Sequence, residues 1–279
     1  NRLLGTKLAI VSNKPQTTRT RIMGVWTEGE TQLVFIDTPG LIKPKNSLGD
    51  YMVKSVTSSV ADVDACLLVV EANTKISKAD EELVHRFKDL GVPALLAINK
   101  IDLLQDKSVL MEQIAKLSAL YDFEAVVPVS AQDGNGMDAL REELIALAEP
   151  GGHFFSEDTL TDQPERAIVA EIIREKALHA LDAEIPHGIA VAIDRMKERP
   201  GKGRLVDIDA TIICERDSHK GIIIGKQGSM LKKIGSNARF ELERMLDAKV
   251  NLKLWVKVKK DWRDSDFLIK NFGYDKKEI

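Results

Sequence analysis

Three loop motifs carry the side chains best suited to chemistry, and each follows an apolar, strand-like run. They are "DTPG" at 37–40, "NKID" at 99–102 and "SA" at 130–131. In parallel sheets, ligands bind at the carboxyl ends of strands, so such loops come together there. Each motif alone also fits an ordinary turn. Their order, each after a strand and with helical patterns between them, favours a shared ligand site.

The DTPG motif offers groups for a metal ion and a phosphate. Asp37 could hold Mg²⁺ through water, because this hard cation prefers carboxylates and phosphates. Gly40 has no side chain to keep its backbone N–H away from a γ-phosphate. The alternative is a plain strand-ending turn, for which Asp-Thr-Pro-Gly is also suitable.

The NKID and SA motifs match the edge of a guanine base. Asp102 could accept hydrogen bonds from the guanine N1–H and 2-amino group. Adenine offers neither donor at those positions, so the carboxylate would stay unpaired and desolvated. Asn99 could steady the neighbouring loop, and the stem of Lys100 could lie across the ring. A backbone N–H at Ser130–Ala131 could donate to guanine O6.

A fourth candidate loop lies within "GIIIGKQGSMLKKIG" at 221–235. A nucleotide phosphate loop needs four residues between its glycines and a hydroxyl after Gly-Lys. Here Gly221 and Gly225 are separated by three residues, and Gln227 has no hydroxyl. The alternative is a G-x-x-G loop between two helical pieces, which in KH domains clamps a single-stranded nucleic acid.

The surroundings of this loop favour RNA over a simple turn. Residues 216–260 hold 12 basic and 4 acidic side chains, a balance of +8 that suits a polyanion. Glycines bring the backbone close to the strand, lysines supply charge, and isoleucines floor an apolar groove, to which Ile234 also belongs. The predicted RNA-binding residues are Lys220, Ile223, Ile224, Gly225, Lys226, Gln227, Gly228, Lys232 and Lys233.

The order of elements predicts two domains that position these loops. In residues 1–149 four strand-like runs alternate with helical patterns, which indicates an α/β domain with a parallel sheet. Residues 150–165, with Pro, Gly and acidic residues but no periodicity, are predicted to be a linker. Residues 166–279 read as α-β-β-α-β, an α+β domain. Its predicted elements are a helix at 166–183, strands at 188–197 and 204–215, a helix at 229–246 and a strand at 250–259.

Composition restricts the class of protein. The net charge of −3 divides into −9 for residues 1–165 and +6 for residues 166–279. No apolar run approaches the ~20 residues that span a bilayer, and no signal-peptide pattern is visible, so we expect a cytoplasmic protein.

Cys66 and Cys214 lie in apolar surroundings and are expected to be buried thiols. Trp255 and Trp262 are expected to lie mostly in the core.

The motifs together resemble the Era family of TRAFAC-class GTPases over nearly the whole chain. Besides DTPG, NKID and SA, "NKPQTTRTRIMG" at 13–24 resembles the family's switch I and "DTPGLIKPKNSLGDYM" its switch II. "ERDSHKGIIIGKQGSMLKKIG" and "WVKVKKDWRD" resemble its KH domain. The resemblance implies a P-loop-type GTPase domain with a parallel-rich sheet, followed by a type II-like KH domain.

The same resemblance implies a set of nucleotide-binding residues. Thr18, or alternatively Thr17, would act with Asp37 at the Mg²⁺ ion that accompanies GTP or GDP. Switch I would comprise Gln16, Thr17, Thr18, Arg19 and Thr20. The GTP-binding residues would be Asp37, Thr38, Pro39, Gly40, Leu41, Asn99, Lys100, Asp102, Ser130 and Ala131.

Two family features do not occur in this sequence. The G-x-x-x-x-G-K-[ST] loop that wraps the nucleotide phosphates is absent, and the resemblance places it, with the first strand, just before Asn1. A chain that began at Asn1 should bind GTP very poorly. Leu41 and Ile42, both apolar, follow DTPG where Ras-like GTPases lead to a catalytic Gln. Slow hydrolysis is implied, and no catalytic residue is predicted.

By resemblance, the function is a GTP-hydrolysing switch that controls a KH domain. The domain would bind single-stranded RNA near the 3′ end of small-subunit ribosomal RNA, in small-subunit assembly. The resemblance also implies a monomer and leaves open weak peripheral association with the inner face of the cell membrane. One alternative is a non-enzymatic RNA-binding protein whose front domain does not bind nucleotide. The other, a GTPase with two G domains, is disfavoured by the single set of motifs.

Overall fold

The computed structural model describes residues 1–201 and 203–275, and it groups the chain into two compact units. Unit 1 comprises Asn1–Leu8, Arg21–Ile42 and Lys54–Asp162. Unit 2 comprises Ala9–Thr20, Lys43–Val53 and the chain from Gln163 onward. The step at 162–163 falls within the predicted linker. The two short inserted segments were not anticipated, and the predicted domain limits stay a prediction.

The strands of unit 1 form two separate sheets. Strands β1 (Ile22–Glu28) and β2 (Thr31–Asp37) pair antiparallel, while β3 (Cys66–Glu71), β4 (Ala94–Asn99) and β5 (Ala125–Pro128) are parallel in that order. The helices around them are α2 (Lys78–Leu90), α3 (Lys107–Ser118) and α4 (Met137–Ala146). Helix α1 (Ser47–Ala61) begins in unit 2 and ends in unit 1.

Burial explains why the central strand of unit 1 was readable from its sequence. All five apolar side chains of β4, from Ala94 to Ile98, are at most 1% exposed. A strand covered on both faces reads as a continuous apolar run, which is typical of parallel sheets between helices. The four predicted strands are confirmed as β2 to β5, but β2 pairs with β1 in a separate sheet and does not join the predicted parallel sheet. Strand β1 was not predicted, and its antiparallel pairing makes the fold mixed.

Unit 2 is an α+β domain built on a three-stranded sheet. Helix α5 (Glu165–Ala180) precedes β6 (Ala190–Arg199) and β7 (Leu205–Cys214). Helices α6 (Asp217–Ile224) and α7 (Ser229–Met245), strand β8 (Lys249–Val258) and helix α8 (Asp266–Asn271) follow. The sheet order is β6-β7-β8, antiparallel and then parallel. The predicted order α-β-β-α-β was incomplete, because neither α6 nor α8 was counted as an element.

Alternation along β7 positions the core of unit 2. Val206, Ile208, Ala210, Ile212 and Cys214 share one face, and each is at most 3% exposed. Because successive strand residues point to opposite faces, this row meets the helices while the intervening residues lie on the other face. Helices α5, α6 and α7 contribute apolar residues to the same core cluster.

Several predictions about single residues can be checked against this fold. Cys66 and Cys214 are buried free thiols, as expected, and burial raises the pKa of Cys66 to about 11. Trp262 is fully buried, but Trp255 is 46% exposed, so its expected core position was wrong. Strand β8 alternates, and Trp255 lies on its outer face with Lys253 and Lys257. Among the residues described, no helix is long and apolar enough to span a membrane.

The predicted linker is tied to the β1–β2 hairpin within unit 1. Val25 N donates to Leu160 O at 2.8 Å, and Thr161 Oγ1 donates to Met23 O at 2.6 Å. Gln32 also accepts hydrogen bonds from the backbone N–H groups of 154 and 155. The segment therefore lacks regular secondary structure yet is held along the hairpin as far as Thr161.

Candidate nucleotide and RNA sites

The DTPG loop begins where β2 ends, as predicted. Asp37 is exposed, Pro39 is buried, and a Cβ placed on Gly40 would meet nothing within 4 Å. Open space above Gly40 fits close approach of a ligand to its backbone. No cluster of three acidic or metal-binding side chains occurs among the residues that are described. Asp37 supplies an exposed carboxylate, the kind of oxygen ligand that Mg²⁺ prefers, so this residue fits the predicted ion.

Asn99 joins the two base-reading loops predicted from the sequence. Its Oδ1 accepts hydrogen bonds from Ala131 N at 3.0 Å and from Lys100 N at 2.8 Å. Because β4 and β5 are parallel neighbours, their carboxyl ends lie together. The Asn99 side chain can therefore bond to Ala131, a residue 32 positions later in the sequence. The Ala131 N–H could donate to guanine O6 only by sharing or replacing this bond. Ser130 is fully buried beneath it.

Lys100 adopts a left-handed conformation, with φ 66° and ψ 35°. Such a conformation is uncommon for a residue with a Cβ and often marks a functional turn. The Lys100 ammonium lies 2.7 Å from a carboxylate oxygen of Glu71, at the end of β3. Both side chains of this ion pair are about half exposed. Asp102 follows in a short 3-10 turn and keeps its side chain exposed, as a base-reading carboxylate requires.

The predicted switch I residues belong to unit 2, where Thr17 and the residues before it bond to α5 and to Asp182 just beyond it. Val11 N donates to a carboxylate oxygen of Glu175 at 2.8 Å, and Lys14 Nζ lies 3.0 Å from Asp182. The Thr17 carbonyl oxygen accepts a hydrogen bond from Arg174. Thr18, the predicted metal ligand, therefore belongs to unit 2, and Asp37 belongs to unit 1.

The G-x-x-G loop separates α6 from α7, as predicted. Gly225, Gln227 and Gly228 all have positive φ, at 74°, 51° and 79°. Only glycine adopts such angles without steric cost. At Gly225 a Cβ would also lie 2.7 Å from the Cβ of Met230. The loop consequently turns sharply and presents the exposed side chains of Lys226 and Gln227 at its tip.

The predicted RNA-binding lysines and isoleucines differ in accessibility. Lys232 and Lys233 are exposed, and Lys220 is half-buried. Ile223 is fully buried in the core cluster, and Ile224 packs partly against that cluster. Ile234 is fully buried as well. The isoleucines thus support the loop from below, and their contact with bases stays a prediction.

Two structurally important residues, Arg174 and Glu71, were not singled out from the sequence, and the burial of a third, Arg19, was not predicted. Arg174 is fully buried and forms a bidentate pair with Glu171, at 2.8 and 2.6 Å. The i, i+3 spacing of that pair was the available signal. For Glu71 the available sequence signal is weaker: it is an acidic residue at the end of a strand. Arg19 was assigned to switch I by resemblance, but nothing in the sequence indicates its burial.

Comparison with known proteins agrees with this interpretation of both units. A family model described as "50S ribosome-binding GTPase" matches residues 1–100, and one described as "KH domain" matches residues 184–263. Curated relatives named GTPase Era are 52% identical in Ruminiclostridium cellulolyticum and 47% identical in Clostridioides difficile. The alignments cover 98% and 99% of this chain, and 91% and 93% of the relatives.

Solved structures give the same result for the fold. The crystal structure of a substituted form of Aquifex aeolicus Era bound to GDP·AlF4⁻ has a TM-score of 0.93 and 39% identity. The alignment covers 99% of this chain and 93% of that one. A structure of Era with MgGDPNP and nucleotides 1506–1542 of 16S ribosomal RNA matches equally well.

The fold and motifs define a P-loop GTPase domain followed by a C-terminal KH domain. The chain belongs to the Era GTPase family.

Proposed function

We propose that this protein is a GTP-hydrolysing switch whose KH domain binds single-stranded RNA near the 3′ end of small-subunit ribosomal RNA, in small-subunit assembly. The observation that carries the proposal is the pairing of guanine-reading groups with a G-x-x-G loop in one chain. Asn99 bridges to Ala131 beside the exposed Asp102, and the loop at 225–228 presents an exposed lysine. The relative bound to 16S ribosomal RNA supports the choice of RNA.

In this proposal Asp102 selects guanine, Asn99 holds the base-reading loops, and Asp37 holds Mg²⁺. Thr18 belongs to the proposed switch I. Mg²⁺ would neutralise developing charge on the transferred phosphoryl group. The apolar pair that follows DTPG, Leu41 and Ile42, offers no side chain to orient water, so hydrolysis should be slow unless another group assists. The proposal assigns the nucleotide phosphates to the P-loop that the family resemblance predicts.

The proposed nucleotide binding is tested by replacing Asp102, the predicted base-reading carboxylate. The experiment uses a form of the protein that includes the predicted P-loop. Asp102→Asn replaces an acceptor with a donor where the guanine 2-amino group would lie. Xanthine carries an oxygen at that position, so the variant should lose affinity for GTP and gain it for xanthosine triphosphate. An unchanged preference for GTP would remove Asp102 from the base site. No nucleotide binding at all would favour the non-enzymatic alternative.

The proposed RNA binding is tested by substituting the exposed residues at the tip of the G-x-x-G loop. Lys226→Asp combined with Gln227→Asp places two carboxylates where phosphates should bind, without touching the core. We expect RNA affinity to fall below detection in a fluorescence anisotropy titration, while the melting temperature stays within about two degrees, as for other surface changes. Undiminished binding would contradict the KH assignment of the RNA site.

One comparison favours a second ribosomal partner. The family model that matches residues 1–100 is described as "50S ribosome-binding GTPase". Co-sedimentation with purified 30S and 50S subunits separates the two cases. The proposal predicts association with 30S particles that is lost in the double aspartate variant, and retention on 50S particles alone would contradict it.

The proposal also makes the protein a cytoplasmic monomer with at most a weak peripheral contact to the inner face of the cell membrane. Its support is the family resemblance. Sedimentation equilibrium tests the monomer, and flotation with vesicles containing phosphatidylglycerol tests the membrane contact.

A further inference from the structure

One side of α7 carries an exposed row of residues that begins at the G-x-x-G loop. Successive residues of a helix are rotated by about 100°, so positions three, four, seven and eleven residues apart share a face. Ser229 directly follows Gly228, and the row continues along the helix to Arg244. We call this row the α7 stripe; its members, all exposed, are Ser229, Lys233, Ser236, Asn237, Phe240 and Arg244.

The opposite side of α7 forms part of the core, which fixes the direction of the stripe. Ile234, Ala238 and Leu242 are fully buried in the core cluster of unit 2. Both acidic residues of the helix are engaged: Glu241 lies off the stripe, while Glu243, three positions after Phe240, borders it. Glu241 forms an ion pair with Lys176, and Glu243 accepts a hydrogen bond from Val250 N at 3.2 Å.

The cations around the stripe form no ion pair with any acidic residue that the structure describes. Among the described residues, no ion pair involves Lys233 or Arg244 of the stripe, nor Lys232 or Arg239 beside it. All four side chains are exposed. Four unpaired cations along one helix face are complementary to a phosphate backbone.

Phe240 lies between these cations and is 66% exposed. A single exposed apolar residue needs no explanation by itself. An exposed aromatic ring among cations, on a helix that starts at a nucleic-acid loop, fits the stacking platforms of single-strand binding proteins. A protein helix docked here would need apolar anchors at i, i+3, i+4 and i+7, whereas Phe240 is the one apolar member of the stripe.

We propose that the RNA strand clamped by the G-x-x-G loop continues along the α7 stripe, with one base stacked on Phe240 and its phosphates beside Lys233 and Arg244. The inference rests on the proposed RNA-binding function and extends its footprint. Eleven residues separate Ser229 from Phe240, a rise of about 17 Å. The site would therefore reach several nucleotides beyond the four that a G-x-x-G loop clamps.

Alanine substitution of exposed phenylalanines tests the proposal on the chain as given. The probe is RNA comprising nucleotides 1506–1542 of 16S ribosomal RNA, labelled for fluorescence anisotropy. Phe240→Ala should weaken binding roughly 5- to 150-fold, the effect of losing one stacked base. The matched control is Phe267→Ala, since Phe267 is 73% exposed on α8, outside the stripe. It should leave RNA affinity unchanged.

The charged part of the stripe is tested by salt titration. Arg244→Gln should lower the slope of log K against log salt concentration by roughly 0.7, the value expected for one phosphate contact with a single strand. Circular dichroism spectra of all variants should match that of the unaltered chain, because each replaced side chain is exposed.

The loop variant separates failure of this inference from failure of the proposed function. If Lys226→Asp with Gln227→Asp abolishes binding while Phe240→Ala behaves like Phe267→Ala, the loop binds RNA and the α7 stripe does not. If the loop variant binds normally, the proposed RNA site itself is wrong. Loss of affinity in both the loop and Phe240 variants, but not in Phe267→Ala, supports the extended site.

Discussion

Arg19 Nη1 donates a hydrogen bond to the carbonyl oxygen of Ile189 at 2.6 Å, although 170 residues separate them in the sequence. Nη2 of the same side chain donates to the carbonyl oxygen of His187 at 3.0 Å. The arginine is 1% exposed, and burial, the largest influence on it, lowers its pKa. A residue of the predicted switch I thus satisfies backbone acceptors in the turn before β6.

Arg19→Ala should destabilise the protein by about 2–5 kcal/mol, because it leaves buried carbonyl groups without donors and opens a cavity. Urea denaturation monitored by circular dichroism measures the change. Arg195→Ala, at an exposed position on β6, is the control and should stay within about 0.5 kcal/mol of the unaltered chain. Equal stability of both variants would show that the buried hydrogen bonds contribute nothing.

The two glycines of the loop should respond differently to alanine. Gly228 is left-handed, so its substitution should cost about 1 kcal/mol of backbone strain. Gly225, at φ 74° and ψ 173°, lies in a region essentially restricted to glycine, where the strain is about 1–3 kcal/mol. At Gly228 a Cβ meets nothing within 4 Å, while at Gly225 it would lie 2.7 Å from Met230 Cβ. Gly225→Ala should therefore cost roughly 1–3 kcal/mol more than Gly228→Ala in thermal denaturation. The reverse order would contradict the loop geometry.

The two tryptophans of the KH domain provide another matched pair. Trp262 is fully buried, donates from Nε1 to Gly188 O at 3.0 Å and lies edge-on to Phe272. Trp262→Ala should cost about 3–5 kcal/mol of folding free energy. Trp255→Ala should cost far less, because nearly half of that side chain is exposed. Chemical denaturation compares them, and similar losses would indicate that Trp255 is also core.

His187 should make stability depend on pH. Burial lowers its pKa below the ordinary value of about 6.5, and nearby Arg19, Arg263 and Lys14 act in the same direction, whereas Glu184 opposes them. The folded state therefore binds this proton less readily than the unfolded state does. The stability is fully present above about pH 6.5 and is lost as the pH falls through the unfolded and then the folded pKa. His187→Gln should flatten the dependence of unfolding free energy on pH between about 7 and 5, and an unchanged profile would contradict this assignment.

Sequence patterns predicted the features that depend on neighbouring residues along the chain. The run Ala94–Ile98 is apolar because both faces of β4 are covered, and the motif after it had to lie beside the end of β5. The bridge from Asn99 to Ala131 follows from that parallel pairing. Helix α6 was harder to count, because it has eight residues and includes Gly221, a poor helix former.

Sequence patterns did not predict burial that depends on residues distant in the sequence. Nothing local distinguishes Arg19, which is buried against distant carbonyls, from Arg21, two positions further on. Trp255 also has the hydrophobicity of a core residue. Its outward direction depends on the register of β8, where Val250 and Val256 occupy the buried face.

The RNA affinity measured in different nucleotide states tests whether the bound nucleotide controls the KH domain. The experiment uses a form of the protein that includes the predicted P-loop, with the 16S ribosomal RNA fragment titrated in GTP, in GDP and without nucleotide. If the nucleotide controls the KH domain, the three dissociation constants should differ clearly, and the difference should be lost in Asp102→Asn when GTP is the nucleotide. Equal affinity in all three states, with GTP bound, would contradict this control.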